Sequence, residues 1–441
     1  LENLDDLIEK NNLQFVEHNV QEIVDNDSII IKINISEGEK ILVERINILG
    51  NNVTNEGVVR SELLLDEGDP FTKLALDKSV AKIKSRKIFR SVESKIQDGS
   101  SPNLKIIDLT VEEQPTGELS AGAGVGTNGG SFAFSIQENN WLGEGKKVSF
   151  DIEANKESLK GSLNYTDPNY DFLGNSINYN LYSTTNDQPD QGYENTLIGA
   201  SISTGFEQYK DIFTSVGMSI SYDDLRTQDS ASASLKKQSG NFTQLSGNYG
   251  FTYDKRNRAF MPTSGSIVRF NQTLPIFADS ASILNTFSTS IYKTITEDII
   301  GASKLYLSSV DGLGSDNVRL SKRLSLPSRR IRGFEKGKIG PIDGSDHVGG
   351  NHAAALNFEV NLPSLLPEST RTDIGLFLDF ANVWGVDYST LLDDSKIRSA
   401  TGVGFDWFTP IGPLTFSLAY PLIREHTDET ETLRFNIGTS F

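Results

Sequence analysis

The chain has 441 residues, no cysteine, and 59 acidic against 41 basic side chains, a formal net charge of -18. That acidic balance argues against nucleic acid as a partner, and the missing cysteines exclude disulfides and thiolate metal sites. No run approaches the ~18 apolar residues of a membrane helix, which excludes helical spans but not a transmembrane β-barrel, where only alternate residues face lipid.

The chain opens on Leu1 without a basic and then apolar leader, so no signal peptide is expected within it, and it reads as beginning inside a domain. Residues 4–39 pattern as helix, strand, strand. The next stretch is fuller. "VERINILGN" (43–51) alternates as a strand, Thr54 is placed to cap a helix through "NEGVVRSELLL", and "LDKSVAKIKSRKIF" (76–89) sets Leu76, Val80 and Ile83 on one helical face. "VESKI" (92–96) and "LKIIDLTVEE" (104–113) complete a β-α-α-β-β unit. Residues 1–40 therefore read as the C-terminal part of one repeat and 41–114 as a complete last one, with further copies expected upstream.

From residue 115 to 441 short alternating segments follow one another without an amphipathic helix of length. "LNFEVNLP" (356–363) sends Leu356, Phe358, Val360 and Leu362 one way and Asn357, Glu359 and Asn361 the other. "IGLFLDF" (374–380) puts Asp379 on the minority face, and "GPLTFSLAYP" (412–421) alternates likewise. A soluble sandwich also alternates; the number of segments and the aromatics at their ends ("DWFTP", "FLDFANVW", "NYGFTYD") favour a barrel of about sixteen antiparallel strands. The last segment, "TLRFNIGTSF" (432–441), must pair with the first, "LSAGAGVGT" (119–127), to close it. Gly122, Gly124 and Gly126 in the first strand and Gly438 in the last make weak pairing partners; Phe435, Ile437 and Phe441 form the outward set of the terminal strand.

Several motifs carry less than they suggest. "GAGVGTNGG" (122–130) lacks the following helix and the Lys-Ser/Thr of a phosphate loop. "IDGSDH" (342–347) lacks the later Glu of a calcium loop. The four histidines (His18, His347, His352, His426) have no ligand spacing, and no GxSxG nucleophile motif occurs. No catalytic residue, metal or cofactor is expected. "SRRIRGFEKGKIGP" (328–341) is more informative: five of its fourteen residues are Arg or Lys, around glycines and a lone Phe334. An exposed lipid-binding loop would be Lys-rich and aromatic-poor. An arginine beside an aromatic and flexible glycines suggests a tip inserted into a polar cavity, with the inward carboxylates Glu359 and Asp379 as partners for a planar donor fork.

"RIRGFEKGKIGP", followed by "VGGN", "NFEVNLP" and "FLDFANVW", resembles the BamA family of outer-membrane insertases. Residues 115–145 look like its first barrel hairpin. "YDKRNRAFMPTSGS" (253–266) is similar to its D-x-x-x-R-x-x-x-P-x-x-G turn, through Asp254, Arg258, Pro262 and Gly265. The β-α-α-β-β units resemble POTRA repeats. One departure stands out: where the family has a Gly-Gly pair before the RGF core, this chain has "LSLPSRR" (324–330).

The resemblance implies an α+β POTRA region in the periplasm followed by an all-β transmembrane barrel in the bacterial outer membrane. A loop around 313–350 would fold inward and carry the motif Ile331, Arg332, Gly333 and Phe334. The function implied is insertion of outer-membrane β-barrel proteins, without ATP, through a lateral seam between the first and last strands. The alternative is a related translocator for autotransporter assembly or two-partner secretion, moving substrate through the barrel. A passive porin lacks such repeats, and a barrel lipase needs a nucleophile. Implied partners are unfolded outer-membrane clients, accessory outer-membrane lipoproteins, periplasmic chaperones and the lipid bilayer. Glu67 in "LDEGDPF" occupies the position at which family members meet an accessory lipoprotein.

Overall fold

The computed structural model describes residues 16–25, 28–37, 41–127, 129–171, 173–259, 261–363, 365–366, 372–392, 395–409 and 412–438. The chain divides into two compact units: 1–118 with 137–148 and 167–174, and 119–136 with 149–166 and 175–441.

In the first unit β1 (Val16–Asp25) and β2 (Ser28–Glu37) form an antiparallel hairpin. The helix expected ahead of them lies outside the described residues. Then come β3 (Leu42–Leu49), α1 (Glu56–Arg60), α2 (Lys73–Ser85), β4 (Phe89–Asp98) and β5 (Leu104–Glu113), the β-α-α-β-β order anticipated. The sheet runs β3-β5-β4, with β5 parallel to β3 and antiparallel to β4. Leu76 and Ile83 of α2 are buried against Ile46, Val59, Ile107 and Leu109, as their helical spacing requires.

Both helices differ in extent from the sequence reading. Thr54 does not cap α1. Its hydroxyl accepts from Asn140 Nδ2 at 2.9 Å, its N–H donates to Glu113 at 2.6 Å, and the N-cap position falls to Asn55, which makes no side-chain cap. The helix stops after Arg60 because the chain must turn to bury Leu65, and the freed Leu64 N–H finds Ser79 Oγ at 2.8 Å. Helix α2 starts earlier than expected, at Lys73, because Thr72 accepts from Ala75 N–H at 3.2 Å; it ends at Ser85, so Phe89 opens β4 instead.

The second unit is built on a closed barrel of sixteen strands, matching the count expected from the sequence. They are β6 (Gly117–Gly126), β7 (Gly129–Trp141), β8 (Lys146–Asn155), β9 (Ser158–Asp167), β10 (Ser176–Gln188), β11 (Tyr193–Tyr209), β12 (Ile212–Thr227), β13 (Gly240–Asp254), β14 (Gly265–Ala278), β15 (Ser282–Thr296) and β16 (Ile299–Gly312). After the two-residue strands β17 (Ile342–Asp343) and β18 (Asp346–His347), which pair with each other, the barrel continues with β19 (His352–Asn361), β20 (Thr372–Trp384), β21 (Arg398–Thr409), β22 (Gly412–Ile423) and β23 (Leu433–Gly438). Burial along strands such as β12 and β22 inverts that of a soluble sandwich. On β22, Leu418 and Tyr420 are 56% and 69% exposed while Ser417 and Ala419 are buried. Val216, Met218, Ile220 and Tyr222 on β12 face outward in the same way, with Asp223 inside. No helix among the described residues is long and apolar enough to cross a membrane.

The long connection between β16 and β19 passes into the barrel. Leu326, Ile331, Phe334 and Ile339 are buried against Ala353 and Ala355 of β19, Ala381 and Val383 of β20, and Ala400 of β21. The wall is small-chained there because the bulk comes from the loop. Fully burying Phe334 contributes about 2–3 kcal/mol to holding it in place.

Candidate functional site in the lumen and at the closing strands

Arg332 is seated by β19 and β20. Its Nε and Nη2 donate to Asp379 Oδ2 and Oδ1, both at 2.7 Å, and its backbone N–H adds a third bond to Oδ2 at 3.1 Å. Nη2 also lies 3.0 Å from Glu359 Oε1, and the guanidinium carbon stacks 3.7 Å from the centroid of Phe377. Strand parity explains the grouping, since Glu359 on β19 and Phe377 and Asp379 on β20 all point inward and neighbour one another across the ladder. Asn357 completes the seat: its Nδ2 donates to Asp379 Oδ1 at 2.8 Å and to the Arg330 carbonyl at 2.9 Å. Glu359 is shared, being also paired with Lys304 of β16. Below the guanidinium lies a cavity of about 210 Å³ that Arg258, Lys304, Asp373 and Asp406 help to line. Arg332 thus faces a polar space while Asp379 is fully buried.

Gly333 follows at φ +87°, and a Cβ there would sit 3.2 Å from Ala400 Cβ and 3.3 Å from Ala419 Cβ. The left-handed backbone favours glycine, and any Cβ would press on both alanines. Gly333→Val is expected to unseat the tip while leaving the barrel closed. Limited trypsin digestion checks this: Arg329, Arg330, Lys336 and Lys338 offer cleavage sites, and the variant should be cut at least ~10-fold faster if the strain and clash together exceed ~1.4 kcal/mol.

Three further arginines anchor the same connection. Arg330 stacks on Tyr306 at 4.7 Å. Arg319 meets Asp223 and Gln244 at 3.4 Å each and lies 4.5 Å over Phe242; Arg323 bonds Asn351 at 2.8 Å, pairs with Asp387 and lies over Tyr388. The path of 324–330, which the resemblance did not supply, is fixed by a two-way backbone bridge between Leu324 and Gly350 and a turn at Pro327–Arg330.

At the barrel's closure, β23 pairs with β6 through Asn436↔Gly126, Ile437↔Val125 and Gly438↔Gly124 among the described residues, and Thr127 N–H donates to the Phe435 carbonyl at 3.1 Å. A Cβ on Gly126 would lie 2.7 Å from the Phe435 carbonyl oxygen, so the closing pair needs glycine there. Gly122 lies on β6 without a described partner on β23, and Phe441 lies outside the described residues.

Two expected positions elsewhere have plain structural duties. In the 253–266 turn Asp254 binds Arg256, Arg258 Nε donates to the Met261 carbonyl at 2.6 Å, and Gly265 holds φ +95° with the Lys255 carbonyl where a Cβ would go. Glu67 accepts from Ile46 N–H at 3.1 Å and lies 3.8 Å from Arg60, with its side chain about half exposed. Sequence reasoning missed Phe377, Asn357, Lys304 and the arginines at 319 and 323. Phe377 and Asn357 share the parity of Asp379 and Glu359 and were recoverable from it. The others pair across long sequence separations and leave no local signal.

Residues 140–441 match the family model described as the Omp85 superfamily domain, and residues 41–114 match a POTRA model described as a surface antigen variable number repeat. The chain is similar to the outer membrane protein assembly factor BamA of Neorickettsia risticii, at 26% identity over 94% of this chain and 57% of that protein. It is similar to BamA of Neisseria meningitidis serogroup B at 25% identity, over 93% and 58% respectively. The human sorting and assembly machinery component 50 homolog is 24% identical over 75% of this chain and 73% of its own. The chain thus spans less than two thirds of the length of the bacterial relatives. Its fold matches the crystal structure of BamA from Haemophilus ducreyi lacking POTRA domains 1–3, with a TM-score of 0.81 at 23% identity, covering 100% of this chain and 94% of that one. The Omp85 match alone takes in well over half of the sequence, and the POTRA match precedes it as the fold does: the chain belongs to the Omp85 superfamily.

Proposed function

We propose that this chain is the POTRA-and-barrel part of an outer-membrane assembly factor, which folds and inserts β-barrel clients through the β6–β23 closure. Residues 1–40 would be the end of one POTRA domain and 41–114 a complete one, both periplasmic, with 115–441 in the outer membrane. The exposed apolar faces of the strands suit lipid. The observation that carries the reading is the closure itself, where glycine stands on both strands, Gly124 opposite Gly438 and Gly126 opposite Asn436. A client strand entering lipid must satisfy its backbone, and an edge with little side-chain packing across it is the one a barrel can lend as template. No step calls for a nucleotide, because the client's own hydrogen bonds and apolar burial drive the exchange.

Purified protein in lipid vesicles, supplied with an unfolded outer-membrane β-barrel and no ATP, should raise the yield of protease-protected, heat-modifiable client. A yield equal to that of empty vesicles would sink the reading. The alternative is transport through the lumen. CdiB of Acinetobacter baumannii (TM-score 0.58, 13% identity) and of Escherichia coli (0.60, 14%) shares the fold, which is compatible with either route. The buried lumen loop weighs against it, since transport requires that loop to leave.

Glu67 extends the proposal to accessory lipoproteins. Because its carboxylate also serves Ile46 N–H, the clean variant is Glu67→Gln, which keeps an acceptor and removes the charge. Co-purification of a basic-surfaced lipoprotein should fall several-fold, as expected when one charged contact is lost from a small interface. An undiminished pull-down would assign Glu67 to the turn alone.

A further inference from the structure

The lumen loop touches more than the wall strands. Its tip also pairs with the segment that leads into β23. Glu335 N–H donates to the Glu429 carbonyl at 3.0 Å, Glu431 N–H to the Gly333 carbonyl at 3.1 Å, and Glu429 N–H to the Lys338 carbonyl at 3.3 Å. Phe334 and Thr430 form an antiparallel bridge between them. A side chain of β23 itself joins in: Arg434 Nη2 donates to the Phe334 carbonyl at 3.2 Å, while Glu431 accepts its Nε at 2.7 Å. From the loop side, Lys338 Nζ reaches Glu429 at 3.1 Å and Asp190 at 2.8 Å. The lead-in is in turn fixed to the wall by Arg398, fully buried, which binds Asp428 at 3.0 Å and Asn382 at 3.1 Å.

Strand β23 is therefore held in three ways. One edge pairs with β22 from Leu414↔Ile437 to Leu418↔Leu433, the other with β6, and its beginning is gripped from inside by the loop tip. The interior grip alone supplies three backbone hydrogen bonds just ahead of β23. We propose that Arg434 is a positioning residue and that the contact between 333–338 and 429–434 is a latch. It holds β23 in register with β6, so that undocking of the loop tip and parting of the seam are one coupled event. This rests on the reading above that the seam parts in use. Coupling of this kind is reciprocal: what loosens the tip loosens the seam, and a strand that captures the edge of β23 favours an undocked tip.

The test reads the seam and not client insertion, so the two readings fail separately. In the otherwise cysteine-free full chain, Val125→Cys and Ile437→Cys place thiols on register partners. The rate of disulfide formation under a mild oxidant reports how long the strands stay aligned. Adding Arg434→Ala should slow it by about fivefold or more, the low end of coupling between linked sites, with the barrel's heat-resistant electrophoretic migration unchanged. Arg434→Lys retains a donor for the Phe334 carbonyl and should return most of the rate. A wild-type rate in folded Arg434→Ala overturns the latch. If that variant does not fold, Lys338→Ala loosens the grip from the loop side without altering a barrel strand, and the same two outcomes decide: a slowed rate supports the latch and an unchanged one overturns it.

Discussion

Arg332→Ala should free the lumen loop and lower client insertion while leaving a closed, heat-modifiable barrel. Asp379 is fully buried, and the substitution removes both side-chain donors of its forked partner, leaving it Asn357 and one backbone N–H. Breaking a buried pair from one side typically costs 3–5 kcal/mol because the remaining charge keeps its desolvation penalty; about 3 kcal/mol is expected here, since the cavity lets water reach the guanidinium side. That corresponds to roughly a hundredfold rise in the population of detached loop. The barrel survives because the sixteen-strand ladder does not run through Arg332. Arg332→Lys should behave much like Ala: a point charge cannot span both oxygens of Asp379 and also stack on Phe377. The exchanged pair Arg332→Glu with Asp379→Arg should recover part of the loss. Loop proteolysis and insertion yield are the measurements, and wild-type values for both in Arg332→Ala would reject a bracing role.

Strand parity made much of this geometry readable in advance. A period of two assigns every residue of a half-buried strand to a face, so "NFEV" and "FLDF" revealed two inward carboxylates before any contact was known. The same rule covered Phe377, which passed unnoticed only because an inward aromatic looks like ordinary filling. Ala353 and Ala355 were a second hint, since small residues on the inward face imply that something else supplies the volume. Helix limits were less legible. Thr54 and the leucines after it form a good local helix pattern, yet the need to bury Leu65 and to satisfy Glu113 and Asn140 outweighs a propensity worth a few tenths of a kcal/mol per residue. Contacts such as Arg398 with Asp428, or Lys338 with Glu429, were out of reach. The first depends on how the β22–β23 connection folds back over β21, and the second exists only once the loop has entered the barrel.

A disulfide across the closure should abolish insertion, and its reduction should restore it. Opening the seam exposes backbone donors and acceptors at several kcal/mol each in hydrocarbon, so it occurs only as fast as a client strand replaces the lost bonds. Glycine at 124, 126 and 438 contributes little packing across the strands, which keeps that exchange within reach. Val125→Cys and Ile437→Cys stand on register partners whose Cα atoms, at the ~4.5–5.5 Å of an antiparallel pair, fall within disulfide range. A covalent bond adds a barrier that no incoming strand can offset. Oxidised protein should therefore fall to the background yield of empty vesicles, a loss of at least ~10-fold, equivalent to ~1.4 kcal/mol or more of lost transition-state stabilisation. Each single-cysteine chain, treated with the same oxidant, should keep wild-type activity and so separate locking from damage. Transport through the lumen makes the opposite demand: it needs the loop bearing Phe334 to leave and is indifferent to the seam. Fully oxidised protein that still inserts clients at the wild-type rate would sink lateral opening and leave the lumen as the route.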